Sequence, residues 1–166
     1  NERLAIGGGI ATGFPDLQEL VNALPVGNEV AVQNPAVRAK LADWHVKAAG
    51  LRNTASRMIT ALSKGDTPGP EASIGKLVAG TMMQDIAKFA MDLQGLGAVL
   101  NDPEVAEGAG RFQAMLLRSP AVRIEGGTDQ ILRNIIAERV LGLPEDMRAD
   151  KGIPFNEIPS GNRQSS

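Results

Sequence analysis

The chain has 166 residues, a formal net charge of −2 and no cysteine; that is enough for a single domain with a real core. The near-balance of charge gives no footing for nucleic acid or a polybasic membrane contact. The lack of cysteine rules out a disulfide framework or a thiolate metal site and suits a reducing compartment. Only 3% of residues are aromatic and none is Tyr, which argues against an aromatic cage or a base-stacking surface, and no apolar run approaches the roughly 20 residues of a membrane span.

Alternating β-branched patterns are nearly absent and helical runs dominate. Asn1 opens the chain inside a helical pattern with no initiator Met, which reads as a fragment, and no signal peptide is visible. Asn1 to Leu24 is a helical segment with a weak middle. Leu4, Ile6 and Ile10 are apolar, but Gly7-Gly8-Gly9 lowers helix stability by about 1 kcal/mol per glycine relative to Ala. The three glycines mean either a flexible loop or a helix pressed against another backbone or a ligand. Phe14-Pro15-Asp16 marks a break or kink, and helix resumes through Leu17, Leu20 and Leu24.

Pro25 to Gln33 reads as a loop. Asn34-Pro35 is a strong helix start, with Asn as N-cap and Pro at the first helical position. Val37, Leu41, Trp44, Ala48, Leu51, Ala55, Met58 and Leu62 then step by four and three, a narrow stripe suited to shallow helix packing. Gly65 and Pro68 end that helix. Pro70 opens the next, with Ile74, Val78, Met82, Ile86, Phe89 and Leu93 as its core stripe and Gly95 as its end. A polar loop spans Asn101 to Gly110. Phe112 to Leu117 gives a short helical piece closed by Ser119-Pro120. His45 is the chain's single histidine and is read as structural or exposed, since no second His completes a metal site.

The last organised stretch is Ala121 to Pro144. Gly126-Gly127 permit backbone geometry that a Cβ would block. Thr128 or Asp129 can cap the following helix, whose first amides favour an anion. Ile131, Ile135, Ile136 and Val140 recur at helical spacing, and Gly142 and Pro144 stop the helix. The long helices run about 25 to 30 residues, roughly 40 Å each. The pattern predicts an all-α fold: an up-down four-helix bundle with long helices and a short extra helix over residues 1–144. Residues 145–166 form a tail in which Ile153, Phe155 and Ile158 could dock while Gly161 to Ser166 stays disordered.

The string E-G-G-T-D-Q-I-L-R-N-I-I-A-E-R-V-L-G-L-P closely resembles the last-helix signature of the acyl-CoA dehydrogenase family. The resemblance covers most of residues 1 to 144, strongest at Glu2–Gly9, Pro70–Gly95 and Ser119–Pro144. It implies the C-terminal helical domain of an FAD-dependent enzyme that converts an acyl-CoA thioester to a trans-2-enoyl-CoA. A carboxylate there removes the α-proton, its pKa raised by burial, while the flavin carries the redox step. Many members carry that glutamate in the loop before the last helix, in a pattern like Y-E-G-T. Gly126 stands at that position here, and Glu125 falls one residue early, a poor candidate. Other members carry it in the first helix, directly before an arginine, together with a small residue in the loop. Glu2-Arg3 matches that pattern, so the resemblance implies Glu2 as catalytic base and Arg3 as a substrate-binding residue. It also implies that Gly126 and Gly127 line the acyl-CoA path and that Thr128, Asp129 and Gln130 meet FAD.

Leu93-Gln94-Gly95-Leu96-Gly97 resembles the family's glycine turn that meets FAD of a neighbouring subunit, which implies Gly95 as a further cofactor contact. Asp92 stands where many members have Gln, and the family's R-x-x-F-G stretch is missing between Leu24 and Leu41, departures that weaken those contacts. No metal is implied. The family's middle β-domain is not in this chain, so the domain alone is expected to bind FAD weakly or not at all. Homo- or hetero-oligomers, dimers or tetramers, and electron-transfer flavoprotein as acceptor follow from the resemblance, in a bacterial cytoplasmic setting. Two other readings stand beside it: a family subunit that has lost catalysis and serves a heteromeric enzyme, and a helical bundle that only mediates protein contacts.

Overall fold

The computed structural model describes residues 12–67, 69–100, 102–145, 150 and 152–158. The expectations for Glu2, Arg3 and Gly7-Gly8-Gly9 lie outside the described residues. The described part is all-α apart from one tiny hairpin. Helix α1 spans Phe14–Ala23. The break expected at Phe14-Pro15 is a helix start: Gly13 takes the N-cap position at φ 73°, a left-handed geometry that suits glycine, and Pro15 falls in the first turn. Phe14, Leu17, Leu20 and Val21 are its buried face. The expected loop after α1 contains a hairpin of two-residue strands, β1 Pro25–Val26 and β2 Glu29–Val30, paired antiparallel around Gly27 at φ 63°.

Helix α2 spans Pro35–Ser63, 29 residues. The Asn34 side chain accepts the Ala36 N–H at 2.8 Å, the cap read from the sequence. Its end is a Schellman turn: Gly65 at φ 84°, with Gly65 N–H donating to Leu62 O and Asp66 N–H to Ala61 O. The apolar stripe holds only along the first half. Val37, Trp44 and Ala48 are buried, whereas Leu62 is 50% exposed and Met58 only half-buried. Among the described residues the difference goes with length. Helix α2 reaches about 44 Å, whereas the ten residues of α1 cover about 15 Å of it.

Helix α3 spans Ala72–Gln94 and contacts every other α-helix among the described residues. It starts two residues after Pro70 rather than at it. Met82 and Ile86 are buried as expected, but Ile74 and Val78 are only half-buried. A second, unforeseen face of small residues is buried instead: Ala72, Ser73, Gly75, Ala79, Gly80, Ala87 and Ala90, with Lys76 among them. Gly95, at φ 55°, terminates the helix.

Helix α4 spans Arg111–Val122, and Pro120 lies inside it rather than closing it. Pro120 has no N–H for the Leu116 carbonyl, and the Ser119 hydroxyl donates to that carbonyl instead, at 2.9 Å. Arg111 ties the start of α4 to α1 through Asp16 and, at 3.4 Å, Glu19. The hydrogen bond and charge of Asp16 raise the Arg111 pKa. Helix α5 spans Asp129–Ile135 and continues as a π-turn through Val140, with Gly142 at φ 66° after it. Its anchor is Leu132, fully buried, whereas Ile131 is 49% exposed; the core-facing position is one residue later than the isoleucine pattern suggested. The apolar core joins Phe14, Leu17, Val21, Trp44, Met82, Ile86, Ala90 and Phe112. The Trp44 ring meets Phe89 edge-on at 5.2 Å.

Candidate functional site

The turn between α4 and α5 is shaped by backbone geometry that only glycine adopts freely. Gly126 has φ 62° and Gly127 φ 113°. Thr128 follows in extended geometry and caps α5, its hydroxyl oxygen accepting the Ile131 N–H at 3.3 Å. Three sets of contacts hold this turn from outside. Arg123, the residue after α4, aims Nε and Nη2 at one carboxylate oxygen of Asp129, at 2.7 and 2.6 Å. Its remaining Nη1 donates to Gln84 Oε1 on α3 at 2.5 Å. Lys76 reaches up from the first turns of α3, and its Nζ donates to the Gly127 carbonyl at 2.5 Å.

These groups differ sharply in exposure. Asp129 is 3% exposed and Lys76 1%, both inside the protein. Gln130, next in sequence, is exposed, and Gly126, Gly127 and Thr128 are half-buried. A recess of about 250 Å³ is lined by Gln84, Pro120, Arg123, Ile124, Thr128, Asp129 and Gln130. The structure thus gathers Thr128, Asp129 and Gln130 around one recess on the α4–α5 turn. Gly126 and Gly127 form the bend beside it. Gly95 is elsewhere, at the opposite end of α3, where a Cβ would meet nothing within 4 Å; its positive φ accounts for the glycine without a ligand.

Glu125 is engaged. Arg118 Nη2 grips both of its carboxylate oxygens, at 2.6 and 2.8 Å. Both of its oxygens are thus occupied by a neighbouring side chain. The residues that sequence reasoning missed are Lys76, Gln84, Arg118 and Arg123. The one available signal was Lys76 itself, a cation four residues before Gly80 and bracketed by Gly75 and Ala79 on a face of small side chains.

The family profile described as "Acyl-CoA dehydrogenase, C-terminal domain" matches residues 1–141. The chain belongs to the acyl-CoA dehydrogenase family. Relatives of this dehydrogenase domain include acyl-CoA dehydrogenase IpdE1 of Mycolicibacterium smegmatis, 34% identical over 120 residues, which are 71% of this chain and 28% of that protein. Acyl-CoA dehydrogenase FadE34 of Mycobacterium tuberculosis is 32% identical over 146 residues, 87% of this chain and 18% of that protein. The domain therefore spans a third or less of the curated relatives it matches. Among solved structures, the ChsE4–ChsE5 complex from Mycobacterium tuberculosis shares the fold, with a TM-score of 0.64 at 24% identity, over 86% of this chain and 37% of that one.

The residues of the turn fit a nucleotide cofactor. Asp129 Oδ1 is buried without a hydrogen-bond partner, because Arg123 spends both contacts on Oδ2. A buried acceptor without a protein partner calls for a donor from water or a ligand. The bare Gly126-Gly127 backbone leaves room for close approach. At the other implied contact, both polar atoms of the Gln94 side chain are likewise buried and unpartnered, next to Gly95. Among the described residues no group of His, Cys, Asp and Glu could hold a metal ion, and no helix is long and apolar enough to cross a membrane.

Proposed function

We propose that this domain forms part of an FAD-dependent acyl-CoA dehydrogenase that oxidises a fatty or sterol-side-chain acyl-CoA to the trans-2-enoyl-CoA. The observation that carries this reading is the Gly126–Gln130 turn of a family member, with its glycine geometry, its orphaned Asp129 oxygen and its exposed Gln130 around one recess. Thr128, Asp129 and Gln130 would hold the flavin nucleotide, with Gly95 and the neighbouring Gln94 amide offered to the cofactor of a second subunit. Bound FAD supplies the acceptor for the β-hydrogen. Glu2 takes the α-proton, and Arg3 steadies the substrate beside it. Two features support Glu2 over the loop: Gly126 has no side chain, and Glu125 is bound by Arg118. Gly126 and Gly127 would line the acyl-CoA path.

Association is part of the reading. Ile59, Leu62, Leu117 and Leu141 are large apolar side chains at least half exposed, and helix faces of that kind are buried by contact with other chains. A homo- or hetero-oligomer would cover them. Electron-transfer flavoprotein is the proposed acceptor.

The second reading, a subunit without catalysis, is kept alive by the loop itself, which offers no free carboxylate. One experiment separates the two. Acyl-CoAs are added anaerobically to the full-length flavoprotein, and bleaching of the oxidised flavin band is followed with and without Glu2→Gln. Bleaching by the wild type that vanishes in the variant is the expected result. Bleaching that survives would move the base elsewhere, and a wild type that no acyl-CoA bleaches would favour the non-catalytic subunit.

A further inference from the structure

We propose that Lys76 is a positioning residue, whose buried ammonium fixes the Gly126–Thr128 turn in the shape that receives the flavin nucleotide. The proposal rests on the reading of that turn given above. It starts from an expense that the fold does not need for packing. Lys76 is 1% exposed, among the largest fully buried side chains. Taking an ammonium out of water costs several kcal/mol even after relaxation, and an apolar side chain of the same size fills such a space more cheaply. A buried ammonium therefore calls for acceptors within reach of its three donors. Here a partner is the carbonyl of Gly127, 51 residues away in sequence and 2.5 Å from Nζ.

That carbonyl belongs to a glycine pair whose own backbone preference is weak. Two adjacent glycines at φ 62° and 113° have access to many more conformations than any other pair. Nothing intrinsic selects the observed one. Thr128 fixes the side of the turn that enters α5, through its cap on Ile131. Arg123 and Asp129 fix the flank, through α4 and Gln84. Lys76 alone of these reaches the peptide between the second glycine and Thr128. Gly75, Ala79 and Gly80 are buried beside it on α3, and at Gly80 the side chains of Val122 and Arg123 come within ordinary contact of where a Cβ would stand. The outer side stays open, with Gln130 exposed. Lys76 thus works from beneath on a surface whose other face is offered to a ligand.

The test uses the full-length flavoprotein with Lys76→Met, which keeps the length of the side chain and removes the donor. Three properties are read: hydrogen exchange of the peptide covering residues 124–132, FAD affinity, and the visible circular dichroism of bound flavin. We expect exchange in that peptide to rise by about tenfold and FAD affinity to fall by about tenfold, the scale of losing a charge-assisted hydrogen bond, while α1 and α2 keep their protection. The flavin dichroism changes with them. A turn that loosens without any change in FAD affinity or dichroism overturns the proposal, as does an unchanged exchange rate. Lys76→Gln, which keeps a neutral donor, is the second variant. Loss of helical structure in both would make Lys76 a general prop of the domain and overturn the assignment. Gln130→Ala in the same protein separates the two levels. If it leaves FAD affinity intact, the flavin-facing reading of the turn is wrong. If it weakens FAD and Lys76→Met does not, the reading stands and Lys76 alone is excluded.

Discussion

The two halves of α3 are held by opposite chemistry. Toward its C-terminal end, Met82, Ile86 and Ala90 join Leu17, Val21, Trp44 and Phe112 in a continuous apolar cluster. Toward its N-terminal end, the buried face is small side chains with Lys76 among them, which donates to Gly127; mid-helix, on another face than Met82 and Ile86, Gln84 takes a hydrogen bond from the Arg123 that also holds Asp129. Apolar burial is strong and non-directional. Buried ionic contacts are directional, and their attraction is largely offset by desolvation. The first half should therefore hold most of the folding free energy, and the second should determine the geometry of one turn.

The comparison is broken most easily at the apolar end. Ile86 is fully buried in the cluster, and Ile86→Ala should lower stability by about 3 kcal/mol through lost burial and the cavity left behind. Urea denaturation followed by helical circular dichroism measures this. A loss below about 1 kcal/mol would show that this half is not where stability resides.

A smaller effect is expected at the polar end, with a different signature. Arg123→Met leaves the Asp129 carboxylate buried without its partner and should lower stability by about 2 kcal/mol. Arg123→Met combined with Asp129→Leu removes both charges and should recover most of that loss, because it no longer leaves the buried Asp129 carboxylate without its partner. The same denaturation series decides it. A double variant as unstable as the single one would mean that the pair stabilises the fold outright, and the contrast between the two halves would fail.

How much of this was legible in the sequence follows the same division. The apolar half was readable because its signals are local and large. Asn34-Pro35 announced α2, and Val37, Trp44, Met82 and Ile86 stood at helical spacing and are buried. The stripe failed at Leu62 because burial depends on a neighbour's length, which no periodicity in α2 contains. Pro120 was misjudged for a related reason: its missing N–H matters only if the Leu116 carbonyl lacks another donor, and Ser119 supplies one. Around the candidate site, the Gly126-Gly127 turn and the Thr128 cap were visible because glycine pairs and caps act over four residues. Lys76 and Arg123 were not, since their partners lie 51 residues away in one case and, in the other, partly on a different helix. A family resemblance names the residues that meet ligands, and it is silent about those that hold them in place.

Gly80 gives the finest test, because it lies on the small face that brings α3 and α4 together. A Cβ built there would meet Arg123 Cγ at 3.5 Å and Val122 Cγ1 at 3.6 Å, ordinary contact distances. Gly80→Ala should therefore fit, and it should raise stability by up to about 1 kcal/mol, since glycine in a helix interior is less favourable than alanine by that amount. Gly80→Leu adds three more carbons in the direction of the Arg123 stem. It should lower stability by about 1 to 3 kcal/mol through overpacking, and it should do so by pushing Arg123 off Asp129 and Gln84. The two substitutions have opposite signs only if the close approach of α3 and α4 is limited by volume at this point. If Gly80→Leu proves as benign as Gly80→Ala, the helices have room to part without loss, and small side chains are not what allows the ionic contacts to reach the turn.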